Sequence, residues 1–292
     1  MKPEDVRTVG VVGCGLMGSG IAEVCARAGL TVKVVEPTEE LCQQGLERIA
    51  ASMARAVERG KLEPGARDEA MARISTATDL RDLADADLVI EAVVEDLATK
   101  REVFRTLDEV VGPEVVLASN TSSLPIVELA AVTKRPERVV GMHFFNPPPV
   151  MKLLEVVRAL TTSEETVAFA RGMGERLGKT VVVARDRAGF IVNWLLVPYL
   201  NQCVRMLEEG FASKEDIDTA VTLGLGHPMG PFALLDLIGL DTALHVANVI
   251  YDETKDPLFA PPPLLKRMVA AGQLGRKSGK GFYEYRQGPD TR

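Results

Sequence analysis

The feature that most constrains the fold is a glycine-rich turn between an apolar run and a helical segment near the start of the chain. Residues 6–12 are rich in valine, which predicts a buried strand, and residues 15–29 have the apolar spacing of a helix. In a strand–turn–helix unit, the pattern Gly-x-Gly-x-x-Gly allows a tight turn, close approach to a pyrophosphate and close helix–strand packing. The turn residues expected to bind a dinucleotide are Gly13, Gly15, Leu16, Met17 and Gly18.

The residue at the end of the second predicted strand indicates which dinucleotide is bound. The same glycines would also suit a tight turn without a ligand, so the context decides between the two. Residues 31–35 form a second apolar strand, and Glu36 follows it directly. A carboxylate at this point can bond both ribose hydroxyls of NAD and would repel the extra phosphate of NADP. Residues 37–40 supply no arginine to reverse that preference, so the sequence favours NAD.

Apolar patterning divides the chain into two parts. Strand-like and helix-like segments alternate to about residue 185, with strands expected at 6–12, 31–35, 75–78, 87–93, 115–118, 139–143, 153–157 and 180–183. Helices are expected at 38–59, 97–110 and 164–177, and then, in an all-helical part, at 190–211, after a capping box at Ser213 and Asp216, at 231–251 and at 261–271. We therefore predict an α/β fold: a Rossmann-type doubly wound sheet in domain 1–186, followed by an all-α C-terminal domain in 187–292.

Composition limits the partners and the location of this chain. A formal net charge of -7 over 292 residues disfavours nucleic acid. Three histidines without a Cys/His cluster argue against a metal site, and no apolar run reaches membrane-spanning length. The short polar stretch 1–7 lacks the features of a signal peptide. The four cysteines form no C-x-x-C pair and are expected to be free thiols, so the expected location is the cytoplasm.

Two titratable residues are candidates for proton transfer. His143 ends a predicted strand, where α/β sheets bind ligands, and a histidine can take the proton of an alcohol as hydride leaves. A lone histidine satisfied by the backbone is the structural alternative. Glu155 lies in an apolar strand, where an unpaired carboxylate is costly. His143 is the simplest partner for Glu155, which would then orient the ring.

Polar residues near other strand ends add candidates for the same crevice. Asn120 and Ser122 follow the strand at 115–118, where a turn or helix cap is the alternative role. Asn193 lies in the first long helix of the second domain, within an apolar face, and a buried amide needs partners. It would contact either the substrate or a neighbouring helix.

Seven blocks of the sequence resemble one family. They are VGVVGCGLMGSGIA at the start, EAVVED (91–96), ASNTSSLPI (118–126), GMHFFNPPPVMKLLEVV (141–157), DRAGFIVNWLLVPYLNQ (186–202), GHPMGPFALLDLIGLD (226–241) and GRKSGKGFYEY (275–285). With these blocks the chain resembles the L-3-hydroxyacyl-CoA dehydrogenases from about Arg7 to Tyr285. The family usually carries Asp at the second strand's end, where this chain has Glu36, which keeps the charge but lengthens the arm.

The resemblance implies reversible hydride transfer between C3 of an L-3-hydroxyacyl-CoA, expected to be short-chain such as 3-hydroxybutyryl-CoA, and NAD. It assigns His143 as general acid/base, Glu155 as its partner, and Ser122 and Asn193 as residues that position the substrate. Residues implied around the cofactor are Ala92, Glu95, Lys100, Asn120, Ser122 and Asn146. CoA contacts are placed on Ser52, Arg55, Arg59 and Lys61, for which a solvated helix face is the alternative. The helical domain is implied to form a homodimer.

Other functions on the same scaffold are considered. Related proteins act on 3-hydroxyadipyl-CoA or on L-gulonate, which lacks CoA. A non-catalytic NAD-binding protein, like the lens crystallin related to this family, is a further alternative. Because Ser122, His143, Glu155 and Asn193 are all present, the sequence favours an enzyme.

Overall fold

The computed structural model describes residues 2–285 and divides into two compact units, Met1–Arg187 and Ala188–Arg292. Residue 1 of the predicted first domain and residues 286–292 of the predicted second domain lie outside the described residues.

The first unit is built on one eight-stranded sheet. Its strands are β1 (Thr8–Val12), β2 (Thr31–Val35), β3 (Ile74–Ala77), β4 (Leu88–Glu91), β5 (Val116–Ser119), β6 (Val139–Phe144), β7 (Leu153–Arg158) and β8 (Thr180–Arg185). Their order is β3-β2-β1-β4-β5-β6-β7-β8. The chain thus starts in the middle and winds outward both ways, which confirms the predicted doubly wound α/β class.

One strand pair departs from parallel order. All neighbours are parallel except β6 and β7. Residues 145–152 join these two strands without a helix, whereas a parallel crossover needs a dozen or more residues. The short connection therefore makes this pair antiparallel, and it brings the start of β7 beside the end of β6.

Six α-helices of the first unit cover the sheet: α1 (Leu16–Arg27), α2 (Glu39–Glu58), α3 (Pro64–Ala72), α4 (Leu97–Val110), α5 (Ile126–Ala130) and α6 (Glu164–Arg176). Side chains of Thr38, Asp96 and Ser163 cap α2, α4 and α6 by accepting backbone N–H groups. The sequence did not predict α3 and α5. Valines of β1 and β2, together with Ile21 and Met53, are buried in the core between the sheet and its helices.

The second unit is helical, with α7 (Val192–Glu208), α8 (Lys214–Gly224), α9 (Pro231–Ile238), α10 (Leu240–Thr254) and α11 (Pro263–Ala270). The predicted cap before α8 is confirmed, because the Asp216 N–H donates to Ser213 Oγ at 3.1 Å. The prediction of one helix over 231–251 is wrong. Gly239 has φ +97, a left-handed conformation outside any helix, and the two helices bend by 94° there.

No single helix within residues 2–285 is both long enough and apolar enough to cross a membrane. The bent pair α9 and α10 together would be, judged by length and composition alone.

Candidate active site

The candidate site residues of the first unit lie where neighbouring strands end, at one edge of the sheet. In register, Val12 of β1 lies beside Glu91 of β4, which lies beside Ser119 of β5, and Ser119 pairs with Gly141 of β6. The segments that follow these strands therefore leave the sheet side by side. This edge flanks the point where the strand order reverses, which is where doubly wound sheets bind their ligands.

The three glycines of the turn after β1 have different surroundings, which explain why each position suits glycine. Gly13 has φ +89, and a Cβ there would lie 2.7 Å from the Ala92 carbonyl oxygen. A Cβ on Gly18 would lie 1.9 Å from the Gly13 carbonyl oxygen, so only glycine lets α1 start this close to the strand. Gly15 is exposed, and a Cβ added to it would have nothing within 4 Å. The turn is thus closed on its protein side and open where a pyrophosphate would lie, at the N-terminus of α1. A dinucleotide fits this arrangement.

Opposite charges hold the middle of that turn. The half-buried Glu36 carboxylate accepts a hydrogen bond from the Cys14 N–H. From α2, the Arg48 guanidinium donates to the Cys14 carbonyl oxygen at 3.1 Å. Sequence reasoning examined only residues 37–40 for a cation and missed Arg48, because only the fold brings α2 against the turn. Burial, with the Glu36 charge, raises the pKa of the Cys14 thiol to about 12, so this thiol stays protonated and unreactive.

His143 and Glu155 form a buried pair across β6 and β7. They are direct register partners, and His143 Nδ1 lies 2.7 Å from Glu155 Oε2. The His143 and Glu155 residues are 6% and 0% exposed. The Phe145 ring packs against the imidazole with a centroid separation of 4.6 Å. Asn120 Oδ1 accepts a hydrogen bond from the Phe144 N–H at 2.9 Å, which ties the segment after β5 to this strand end.

Glu95 and Lys100 organise the segments after β4 and β5. Glu95 Oε1 accepts hydrogen bonds from the Thr121 hydroxyl at 2.6 Å and the Ser122 N–H at 2.9 Å. Lys100, which is 1% exposed, places Nζ 3.3 Å from Glu95 Oε2. Burial acts to raise the pKa of Glu95, but the Lys100 ammonium and these hydrogen bonds lower it below its ordinary value. Glu95 is therefore a stable anion beside Ser122.

Glu91 is a charged residue of this region that the sequence reasoning missed. It ends β4 with 0% exposure, and Oε1 lies 2.5 Å from Lys100 Nζ. The signal was present, because Glu91 is a carboxylate within an apolar strand, as Glu155 is. The same reasoning that gave Glu155 a partner would have required one for Glu91.

Family models match both units. The NAD binding domain of 3-hydroxyacyl-CoA dehydrogenase matches residues 8–187, and the C-terminal domain of the same family matches residues 189–285. The chain belongs to the 3-hydroxyacyl-CoA dehydrogenase family. It is an NAD-dependent oxidoreductase, and the predicted resemblance and the predicted cofactor are confirmed.

Known members of the family are similar over almost their whole length. A 3-hydroxybutyryl-CoA dehydrogenase of Mycobacterium tuberculosis is 56% identical over 282 residues, 96% of this chain and 99% of that protein. The mitochondrial hydroxyacyl-coenzyme A dehydrogenase of Sus scrofa is 46% identical, over 96% of this chain and 92% of that protein. The crystal structure of (S)-3-hydroxybutyryl-CoA dehydrogenase PaaH1 from Ralstonia eutropha matches with a TM-score of 0.93 and 46% identity, over 97% of this chain and 100% of that one.

Asn193 of this family member lies in the second unit, in the first turn of α7. The prediction of a buried amide is wrong, since Asn193 is half-buried. The fully buried positions of α7 begin only at Val197, beyond its first turn. The buried amide of this helix is Asn201, whose Nδ2 donates to the Phe259 carbonyl oxygen at 3.2 Å.

The remaining family-assigned residues are placed as follows. Asn146 is exposed just after β6, and Leu16 is 67% exposed at the start of α1, beside the half-buried Met17. Ser52 and Arg55 lie on α2, whereas Arg59 and Lys61 follow its end. Arg55, Arg59 and Lys61 are exposed and form no ion pair within the described part of the chain. Among residues 2–285, no group of three or more His, Cys, Asp or Glu side chains is placed to hold a metal ion.

Proposed function

We propose that this dehydrogenase interconverts an L-3-hydroxyacyl-CoA and the 3-oxoacyl-CoA, and that its preferred acyl group is short, as in 3-hydroxybutyryl-CoA. The observation that carries the proposal is the buried His143–Glu155 pair at the sheet edge where the glycine turn also lies. The proposal is supported by relatives that are themselves named for 3-hydroxybutyryl-CoA.

His143 is proposed as the general acid/base. With its Nδ1–H donated to the ionised Glu155 carboxylate, Nε2 is the nitrogen that takes the proton of the 3-hydroxyl group. Glu155 fixes the ring orientation and stabilises the imidazolium that results. NAD, when bound, supplies the acceptor for the C3 hydride. In the reverse direction the His143 imidazolium returns the proton to the 3-oxo oxygen.

Ser122 and Asn193 are proposed to position the substrate oxygen and the thioester. The segment that carries Ser122 is held by Glu95, which accepts its N–H at 2.9 Å. This contact fixes the backbone of Ser122. The Ser122 hydroxyl donates to the same Glu95 oxygen at 3.4 Å and would turn to the reacting oxygen when substrate binds. For Asn193 the support is the family resemblance and its half-exposed amide.

The experiment is an NADH oxidation assay on the full chain with acetoacetyl-CoA, a dicarboxylic 3-oxoacyl-CoA and a free sugar acid. We expect the highest kcat/KM with acetoacetyl-CoA. His143→Ala should lose about 10²- to 10⁴-fold in kcat, the usual contribution of a general acid/base, and should still bind NADH. His245→Ala is the matched control, because His245 is exposed on α10. Equal activity without CoA, or near-normal turnover by His143→Ala, would overturn the proposal.

CoA recognition is proposed at Ser52, Arg55, Arg59 and Lys61. The support is that the three cations are exposed and unpaired among the described residues, so they are available to phosphate groups. Arg55→Ala and Arg59→Ala should each raise KM for acetoacetyl-CoA with kcat retained, and the effect should shrink at high salt. Lys266→Ala is the control, because Lys266 is an exposed residue of α11. An unchanged KM in both variants would assign these residues to a solvated helix face.

We also propose that the chain forms a homodimer through its second unit and works in the cytoplasm. The second unit exposes large apolar side chains at Leu195, Phe211, Leu223, Leu225 and Leu237, which a subunit interface would cover. A cytoplasmic location is supported by four buried, free cysteines. Light scattering should give a dimer mass that Leu223→Glu converts to a monomer mass, and cell fractionation tests the location. A monomeric wild type would overturn the first proposal.

A further inference from the structure

We infer that Glu91 is a positioning residue for cofactor binding: its buried carboxylate holds Lys100 against Glu95 and so fixes the segment that carries Ser122. The inference rests on the proposed function, because the roles of Glu95, Lys100 and Ser122 toward the cofactor are themselves proposed.

The Glu91 carboxylate accepts three hydrogen bonds, from donors that belong to three different segments. Oε1 accepts hydrogen bonds from Lys100 Nζ at 2.5 Å and from the Val93 N–H at 2.7 Å. Oε2 accepts one from Ser119 Oγ at 2.6 Å. The Glu91 backbone carbonyl accepts the Asn120 N–H at 2.8 Å. Glu91 therefore connects the end of β4 with the end of β5 and with α4.

Lys100 connects Glu91 to Glu95, one of the residues proposed to lie at the cofactor. Its Nζ lies between two carboxylates, at 2.5 Å from Glu91 and 3.3 Å from Glu95. Glu95 in turn accepts the Thr121 hydroxyl and the Ser122 N–H. A continuous chain of contacts thus runs from a carboxylate without solvent exposure to the serine proposed to contact substrate and cofactor.

Stability alone does not account for this cluster. A buried ion pair is weak support for a fold, since well-packed apolar residues usually serve as well or better. Lys100 also lies in the first turns of α4, where the positive end of the helix dipole disfavours a cation. Three charged side chains beside the strand edge therefore indicate that an ammonium group is needed at this place, with Glu91 to hold it there.

The test measures NADH affinity by fluorescence quenching, together with kcat and KM for NADH, in Glu91→Gln. Glutamine keeps the shape but removes the charge that holds Lys100. We expect NADH to bind roughly 10- to 100-fold more weakly, the range for disturbing a charged hydrogen-bonding group. We expect kcat at saturating NADH to fall as well, because the same segment carries Ser122, although the His143–Glu155 pair is untouched.

Two further variants separate positioning from mere packing. Lys100→Met should weaken NADH binding to a similar extent, and the double variant should be no worse than Lys100→Met alone, because Glu91 acts through Lys100. The matched control is Asp108→Asn. Asp108 lies on the same helix α4 and forms a buried pair with Arg135 at 2.8 Å, and its loss should lower the Tm without changing NADH affinity.

The outcomes are distinguishable. If the wild type neither binds NADH nor reduces acetoacetyl-CoA, the proposed function fails. If the wild type is active and Glu91→Gln binds NADH normally, or if the losses multiply in the double variant, only the inference on Glu91 fails. Should Glu91→Gln not fold, Glu91→Asp decides, because it keeps the charge but shortens the side chain and so draws the carboxylate away from Lys100 Nζ, which lies 2.5 Å from it in the wild type. A loss of about threefold or more in NADH affinity supports the inference, and no loss overturns it.

Discussion

His143 and Glu155 are cross-strand partners on the only antiparallel pair of the described eight-stranded sheet, with Nδ1 and Oε2 2.7 Å apart. The antiparallel direction is what allows this geometry. It places a residue near the start of β7 at the level of a residue near the end of β6, and both lie at the sheet edge where the glycine turn follows β1. The short connection after β6 thus builds the proposed proton-transfer pair.

The first prediction concerns the partner of the histidine. Glu155→Gln keeps a hydrogen-bonding group but removes the negative charge that stabilises the imidazolium and selects the Nδ1–H tautomer. We expect kcat to fall by about 10²-fold or more, within the range for general acid/base catalysis, with NADH affinity retained. Stopped-flow or steady-state NADH oxidation measures the effect. Glu165→Gln, an exposed carboxylate on α6, is the control, and wild-type kcat in Glu155→Gln would contradict the assignment.

The second prediction separates two glycines of one turn. Gly18→Ala places a methyl group against the Gly13 carbonyl oxygen, so it should lower the free energy of unfolding by about 1–3 kcal/mol and abolish NADH binding. Gly15→Ala meets open space, so it should keep the wild-type Tm and lose roughly tenfold in NADH affinity. Gly65→Ala, also in open space but inside α3, should leave NADH affinity unchanged and should keep or slightly raise the Tm. Thermal melting and NADH titration check these results; full NADH affinity in Gly15→Ala would exclude the pyrophosphate from this side of the turn.

The glycine turn and the His143–Glu155 pair could be predicted from the sequence, because the residues involved are unusual for their place in the pattern. A glycine pattern after a strand and a carboxylate in an apolar strand are both visible without the fold. Arg48 carries no such signal, since an arginine on a polar helix face is ordinary until α2 packs on the turn. Glu91 did carry the signal of Glu155, and was overlooked.

The wrong or missing predictions about helices have similar causes. Residues 231–251 have continuous helical spacing, so the break depends on the backbone of one residue, Gly239, whose left-handed conformation the pattern does not show. The helix α5 has only five residues, too few to produce a periodic pattern. Asn193 shares the apolar spacing of α7 but lies in its first turn, before the buried positions begin.

The third prediction is a pH dependence. The lowered pKa of Glu95 means that its anion stabilises the fold at pH values above its ordinary pKa, and that this stabilisation is lost as the pH falls through the lowered pKa. Lys100→Met removes the largest influence that lowers this pKa, so the pKa of Glu95 should be higher in the variant than in the wild type. Between pH 8 and pH 5, NADH affinity should stay constant for the wild type and should weaken toward acid for Lys100→Met. Parallel pH profiles for the two proteins would contradict this role of Lys100.

The fourth prediction tests cofactor choice at the same turn. Glu36 would repel the 2′-phosphate of NADPH, whereas Arg48 is exposed and bonds the neighbouring Cys14 carbonyl oxygen at 3.1 Å. Glu36→Ser should therefore raise kcat/KM for NADPH at least about tenfold by removing like-charge repulsion, and should lower it for NADH. Glu36→Ser combined with Arg48→Ala should lose most of the gain, because the arginine supplies the phosphate contact. Glu39→Ser, which removes an exposed charge at the start of α2, should leave the preference for NADH unchanged. If Glu36→Ser does not gain NADPH activity, the Glu36 carboxylate is not the discriminating group. If the double variant keeps the gain, the phosphate is bound by residues other than Arg48.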